Sequence, residues 1–232
     1  MSENIKDKIV VLIPMYNEEK VIRPIIESLK EYFDNIVVVD DGSSDGSIKE
    51  LSGININIIS HCINLGQGAA ISSGFEYVKR SFGKEINGVV TCDADGQHSI
   101  EDVVKFAREL LICPEDIIFG SRFLGFEKNI PFLKRLLLRT AKKITNKFLR
   151  VNLTDTHNGL KAFKLSAIKK LDLKTDGYAF ETELVYQIAK NDLQYKELPT
   201  NILYTEYSKS KGQPIRNSLI ILEDIIKLWS KR

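Results

Sequence analysis

Cysteine is scarce in this 232-residue chain, with Cys62, Cys92 and Cys113 its full complement. They stand at no metal-ligand spacing and suggest no pairing framework, so a disulfide scaffold and a cysteine-built zinc site are both excluded. Reduced, mostly buried thiols of a cytosolic protein are expected instead. An excess of one charge is also missing: 33 Lys and Arg against 31 Asp and Glu leave a net charge of +2. That balance gives no electrostatic ground for a nucleic-acid partner. No stretch reaches the roughly 18 uncharged apolar residues of a membrane span. The opening residues Met1 to Lys8 lack the apolar centre of a signal peptide. A protein kept on the cytoplasmic side is the expectation. Internal repeats and low-complexity tracts are absent, and the length fits one domain with or without an appendage.

What the chain does have is acid at the ends of apolar runs. Ile9 to Ile13 is followed by Pro14-Met15-Tyr16-Asn17-Glu18-Glu19. Ile36 to Val39 is followed by Asp40-Asp41-Gly42-Ser43-Ser44-Asp45-Gly46, and Ile86 to Cys92 by Asp93-Ala94-Asp95-Gly96-Gln97-His98. Short apolar runs bounded by polar residues read as buried strands. Ligands of open α/β sheets bind at the carboxyl ends of strands. Asp-x-Asp-Gly is by itself a turn sequence, because Asp and Gly tolerate turn geometry. Three polar, partly acidic loops at one sheet edge ask for more. Two carboxylates and an amide oxygen at Asp93, Asp95 and Gln97 suit a hard divalent cation, Mg2+ or Mn2+, that in turn holds a diphosphate.

Between these runs the spacing is helical. Val21, Ile25, Ile26, Leu29 and Phe33 mark a helix over Lys20 to Phe33, and Ile71, Phe75 and Val78 another over Ala69 to Phe82. Ser43-Ser44-Asp45 offers caps for a short helix through Leu51, and Ser99-Ile100-Glu101-Asp102 opens one that runs on to Leu111. Ile54 to Ile59 and Ile117 to Phe119 read as further strands, the second ending in Gly120-Ser121-Arg122. The alternation predicts an α/β fold with a mostly parallel central sheet flanked by helices.

The second half changes character. Lys128, Lys134, Arg135, Arg139, Lys142, Lys143, Lys147 and Arg150 alternate with apolar residues, and almost no acid offsets them. Such a basic amphipathic helix either lies on an anionic membrane surface or packs on the sheet with a solvated basic face. Ile215 to Trp229 is apolar but interrupted by Glu223, Asp224 and Lys227, too short and too charged to span. It lies at an interface, packs on the domain or mediates self-association into a homo-oligomer.

Taken together, these elements resemble the inverting family 2 glycosyltransferases of GT-A fold, and within them the polyprenyl-phosphate sugar synthases. The resemblance runs from about Ile9 to about Gly212. It rests on the three acidic loops, Asn64-Leu65-Gly66-Gln67-Gly68, Gly120-Ser121-Arg122, Asp155-Thr156-His157-Asn158-Gly159 and Gly177-Tyr178-Ala179-Phe180-Glu181-Thr182-Glu183. It implies a Rossmann-like catalytic domain over 1–212 and a C-terminal amphipathic helix or tail over 213–232.

The resemblance also implies roles. Pro14, Tyr16, Glu18, Asp40 and Asp41 line the pocket of a UDP- or GDP-linked sugar, with Asp93, Ala94 and Asp95 beneath the diphosphate. Asp93, Asp95 and Gln97 hold the metal, which offsets charge on the leaving diphosphate. Gly66 and Gly68 let backbone approach the donor. Arg122, Arg135 and Lys161 hold an acceptor phosphate, and Asp95, Asp155 and Arg122 form the catalytic set. A lipid phosphate is already ionised and needs cations rather than a base. A sugar hydroxyl needs a carboxylate base, for which Asp155 and Glu183 are candidates. His98 and His157 are expected to be hydrogen-bonded structural residues.

Two loops depart from the family pattern. Asn158-Gly159-Leu160-Lys161 stands where Ser-Gly-Phe-Arg is usual, and Tyr207 to Gln213 carries Lys209 and Lys211 where an Arg is common. Lysine keeps the charge and loses the bidentate fork. Many relatives continue into membrane spans, so this chain is expected to meet the cytoplasmic face peripherally or through a small membrane partner. The leading expectation is metal-dependent, inverting transfer of a sugar to a polyprenyl phosphate. Transfer to a saccharide hydroxyl and a non-catalytic membrane-bound scaffold are the alternatives. A sugar nucleotidyltransferase fits poorly, since Pro14 to Glu18 replaces its glycine-rich loop.

Overall fold

The computed structural model describes residues 5–124, 151–177 and 180–203. Its sheet is built from β1 (Ile9–Met15), β2 (Asn35–Asp40), β3 (Asn57–Ser60), β4 (Gly88–Thr91), β5 (Ile117–Ser121), β6 (Lys161–Lys164) and β7 (Tyr195–Pro199). The helices are α1 (Ile22–Lys30), α2 (Ser47–Glu50), α3 (Gln67–Ser81), α4 (Ile100–Ile112), α5 (Leu165–Ile168) and α6 (Phe180–Lys190). The strand order is β3-β2-β1-β4-β6-β5-β7. β6 pairs antiparallel with both β4 and β5, and every other pairing is parallel.

The central strands are apolar throughout because both sheet faces are covered. Alternate side chains enter opposite cores. Val10, Leu12, Val37 and Val39 face one cluster with Ile71, Phe75 and Val78 of α3 and Leu184, Val185 and Ile188 of α6. Ile9, Val11, Ile13, Ile36 and Val38 face the other, with Ile22, Ile26 and Leu29 of α1 and Val103, Phe106 and Leu110 of α4. The result is three layers, with helices on both sides of one sheet. Truncating a fully buried residue such as Leu29 to Ala should cost roughly 2–5 kcal/mol.

Several expectations shift in detail. α1 begins at Ile22 and ends at Lys30, so Val21 is its N-cap and Phe33 packs from the following turn. α2 has Gly46 as N-cap rather than a serine. Asp45 acts just ahead of it, Oδ1 accepting from the Ser47 N–H at 3.0 Å and the Ser47 hydroxyl at 2.5 Å. β3 starts at Asn57, not Ile54. The α4 start is as read: the Ser99 hydroxyl accepts from the Asp102 N–H at 3.1 Å. Cys92 and Cys113 are buried and Cys62 is exposed.

Among the described residues no helix is long and apolar enough to cross a membrane. The basic segment from Lys128 to Arg150 with Arg135, the lysines Lys209 and Lys211, and the 213–232 amphipathic tail lie outside the described residues.

Candidate active site

The carboxyl ends of β1, β2, β4 and β5 meet along one edge. The loops after β1 and β2 are stitched together: the Asn17 N–H donates to Ser43 Oγ at 2.9 Å, Glu18 N–H to Ser47 Oγ at 2.7 Å, and Ser44 N–H to Asn17 Oδ1 at 2.8 Å. Asn17 takes a left-handed backbone with φ 56°, a conformation asparagine tolerates better than most residues. Of the expected nucleotide-pocket residues, Tyr16 is exposed, and Glu18, Asp40, Asp41 and Ala94 are buried. Asp40 accepts from the Ser43 N–H at 3.3 Å.

Asp41 is turned inward. Its Oδ1 takes His61 Nδ1 at 2.7 Å and the Leu65 N–H at 2.9 Å, and its Oδ2 takes the Gly66 N–H at 2.7 Å. The other nitrogen of His61 meets Ser73 Oγ at 2.9 Å. In this structure Asp41 shapes the 62–66 loop rather than presenting a free carboxylate. A Cβ on Gly66 would meet the Asp176 carbonyl oxygen at 2.6 Å, and one on Gly68 the Thr175 carbonyl oxygen at 2.2 Å. Both glycines therefore give room to the chain's own 175–176 backbone.

Asp93 lies two residues past the end of β4. Gln67 Nε2 donates to its Oδ1 at 3.1 Å, and His98 Nε2 lies 3.2 Å from its Oδ2. Gly159 leaves room for this carboxylate, since a Cβ there would stand 2.2 Å from Oδ2. Burial pushes the Asp93 carboxyl up, but the His98 hydrogen bond and the charges of His98, Lys161 and Arg122 more than offset it, so it is held below the usual carboxylate range. Asp95 behaves oppositely: burial first, then the Asp93 charge, raise it to about 6. Its Oδ1 accepts the Gln97 N–H at 3.0 Å.

An ionised Asp93 that makes the charge on neighbouring Asp95 costly is a pair of acidic oxygen donors whose chemistry fits a divalent cation. Among the described residues no three His, Cys, Asp or Glu side chains converge as a ready metal cage.

The β5 end is organised around a different pair. Arg122 grips buried Asp155 in a fork, Nε to Oδ2 at 2.6 Å and Nη2 to Oδ1 at 2.7 Å. Burial works against the Asp155 anion, yet Arg122 wins and holds its carboxyl below the ordinary value. The backbone leading to Asp155 is clamped by Glu197 on β7, whose Oε1 accepts from the N–H groups of Thr154 at 2.7 Å and Asp155 at 3.2 Å. His157 is kept neutral, its pKa lowered by burial to about 4.

Lys161 and Glu183 both have partners within the chain. Lys161 is buried on β6, between β4 and β5, its Nζ donating to the Asn158 carbonyl at 2.5 Å and to Glu181 Oε1 at 2.7 Å. Glu183 accepts the N–H groups of Lys174 at 3.0 Å and Thr175 at 2.8 Å. Glu181 is raised to about 7, chiefly by burial, with Lys161 pulling the other way.

Sequence reasoning missed Gln67, Gly159, Glu181 and Glu197, and undervalued His98. Gln67 and Gly159 sat inside quoted motifs. Glu197 had one signal, a carboxylate in the middle of a strand.

A mostly parallel three-layer sheet with acidic loops at its carboxyl edge, a carboxylate pair after β4 and a forked cation after β5 is the GT-A architecture of a sugar-transferring enzyme. The chain belongs to Glycosyl transferase family 2, whose profile matches residues 10–172. It is 34% identical to the UDP-N-acetylglucosamine–dolichyl-phosphate N-acetylglucosaminyltransferase of Methanococcus voltae, over 89% of this chain and 90% of that one. It is 29% identical to the polyprenol monophosphomannose synthase of Mycolicibacterium smegmatis, over 90% of this chain and 83% of the relative. Among solved structures, glucosyl-3-phosphoglycerate synthase from Mycobacterium tuberculosis with Mn2+ and UDP-glucose superposes with a TM-score of 0.72 at 17% identity, covering 95% of this chain and 78% of that one. That likeness speaks to the fold alone.

Proposed function

We propose that this glycosyltransferase moves a sugar from a UDP- or GDP-linked donor to a polyprenyl phosphate, with inversion at the sugar carbon. The observation that carries the acceptor is the likeness, over about nine-tenths of the chain, to relatives named for dolichyl-phosphate and polyprenol monophosphate chemistry. Those relatives carry different sugars by name, so the sugar is left to experiment.

The donor is assigned to Pro14, Tyr16, Glu18 and Asp40 at the ends of β1 and β2. Asp93, Asp95 and Gln97 would hold Mg2+ or Mn2+. The M. tuberculosis neighbour, which carries Mn2+ with UDP-glucose, supports that reading. When bound, the ion would neutralise charge on the departing nucleoside diphosphate. Arg122 presents its guanidinium beside this edge, and its fork with Asp155 fixes the direction of that charge. A phosphate oxygen held there attacks without a base, because it is already anionic at neutral pH. Arg135 is assigned to the same phosphate. A saccharide hydroxyl would instead need a proton acceptor. Asp155, held low by Arg122, is a weak one, which favours the phosphate. The enzyme is placed peripherally at the cytoplasmic membrane face.

Purified protein with Mg2+ or Mn2+, labelled nucleotide sugars and a short polyprenyl phosphate should yield label in an organic extract. Label that stays water-soluble on a saccharide acceptor would replace this reading with the hydroxyl-acceptor one. Nucleotide binding with no transfer to either acceptor would support a non-catalytic scaffold. Membranes washed at high salt should lose the protein, and protein that never sediments with membranes at low salt would remove the peripheral assignment.

A further inference from the structure

Beneath Asp93 lies a small cavity with space on the scale of one water, bounded by Gln67, Thr91, Asp93, Gly159, Lys161 and Glu181, among others. Lys161 and Glu181 form a buried ion pair across its wall, 2.7 Å apart, with 3% and 8% of their side chains exposed. Lys161 Nζ has a second partner in the Asn158 carbonyl, and it sits 5.9 Å from the centre of the Phe180 ring. Glu181 uses one oxygen for Lys161, and its Oε2 is buried with no hydrogen-bond partner.

A buried pair of this kind is weak evidence for stability, because desolvation consumes most of its attraction. Its location suggests another use. Lys161 and Asp93 line the same small cavity, so the ammonium stands close to that carboxylate. An ammonium next to a metal-binding carboxylate is a competitor for the metal. In its ionised form Glu181 cancels that competitor, and its hydrogen bond holds the Nζ on the side away from solvent, beside the Asn158 carbonyl.

We propose that Glu181 is a positioning residue that restrains and neutralises Lys161, leaving the Asp93 carboxylate to a divalent cation. The inference rests on the metal reading given above for Asp93 and Asp95. Removing the Glu181 charge leaves an unbalanced lysine under the site, repelling a dication and drawing Asp93 toward itself. Removing both charges restores neutrality. The two changes are therefore opposed, whereas a merely structural pair would lose on each deletion.

The test is Mn2+ affinity in the presence of UDP, read by the electron paramagnetic resonance of free Mn2+ on wild type, Glu181→Gln and Lys161→Met/Glu181→Gln, with circular dichroism confirming that each is folded. Glu181→Gln should bind Mn2+ about tenfold more weakly, as expected of one added charge at short range in a partly screened interior. The double variant should return to within about threefold of wild type. Equal affinity in wild type and Glu181→Gln would overturn the inference while leaving the metal reading intact. A loss that persists in the double variant would also overturn it, making the pair structural. Absence of Mn2+ binding by the wild type would overturn both readings together.

Discussion

The β1-to-β4 side of the sheet and the β5-to-β7 side treat buried acid in opposite ways. On the first, Asp40, Asp41, Asp93 and Asp95 are held by backbone N–H groups, an amide and imidazoles. On the second, Asp155 and Glu181 are each closed against a permanent cation, Arg122 or Lys161. Hydrogen bonds orient a carboxylate without cancelling its charge. An ion pair cancels it. The first side therefore keeps negative potential for a cation to satisfy, and the second is balanced before any ligand arrives.

Breaking the balanced side should have the largest effect. Arg122→Ala leaves Asp155 buried without a counter-charge and should cost about 3–5 kcal/mol of stability in denaturant titration. Acceptor use should fall more than donor binding, and equal loss of both would assign Arg122 to the donor diphosphate. Asp95→Ala tests the unbalanced side. Turnover should drop by about 10²–10³-fold, while stability at pH 8 stays equal or rises, because burial and Asp93 disfavour the ionised Asp95 in the fold. Wild-type turnover in this variant would remove the metal assignment.

Acid sharpens the contrast further. His157, lowered to about 4, is neutral in the fold where the unfolded chain binds a proton. Its contribution to stability is complete above the ordinary histidine value of about 6.5 and is lost as pH falls toward 4, by about 1–3 kcal/mol. His157→Gln should flatten that part of the stability-against-pH curve. The smallest effect is expected at a helix cap: Ser99→Ala removes the α4 cap and should cost about 1 kcal/mol in denaturant titration.

Much of this was legible in the chain. The strands that lead to Asp40, Asp93 and Arg122 were marked by apolar runs, and buried parallel strands look like that. β6 was not, because four residues bracketed by Lys161 and Lys164 carry no strand signature, and pairing with two neighbours decides the matter. The acidic loops advertised Asp93 and Asp95. They did not say that Asp41 turns inward, since an inward and an outward carboxylate have the same letter. Gly66 and Gly68 were read as letting backbone approach the donor; that the chain's own 175–176 backbone also comes up against them depends on residues over a hundred positions later. Lys161 was read as a cation for an acceptor phosphate; that it is buried and paired with Glu181, 20 positions on, has no local pattern to announce it.

The Arg122–Asp155 fork also ties together two parts of the frame that lie 33 positions apart in sequence. It joins the end of β5 to the approach to β6, and Glu197 of β7 fastens the same approach through the Thr154 and Asp155 N–H groups. The end of one strand, the lead into a second and the body of a third therefore share one knot. Arg122→Ala should raise amide hydrogen exchange at all three places together rather than at residue 122 alone.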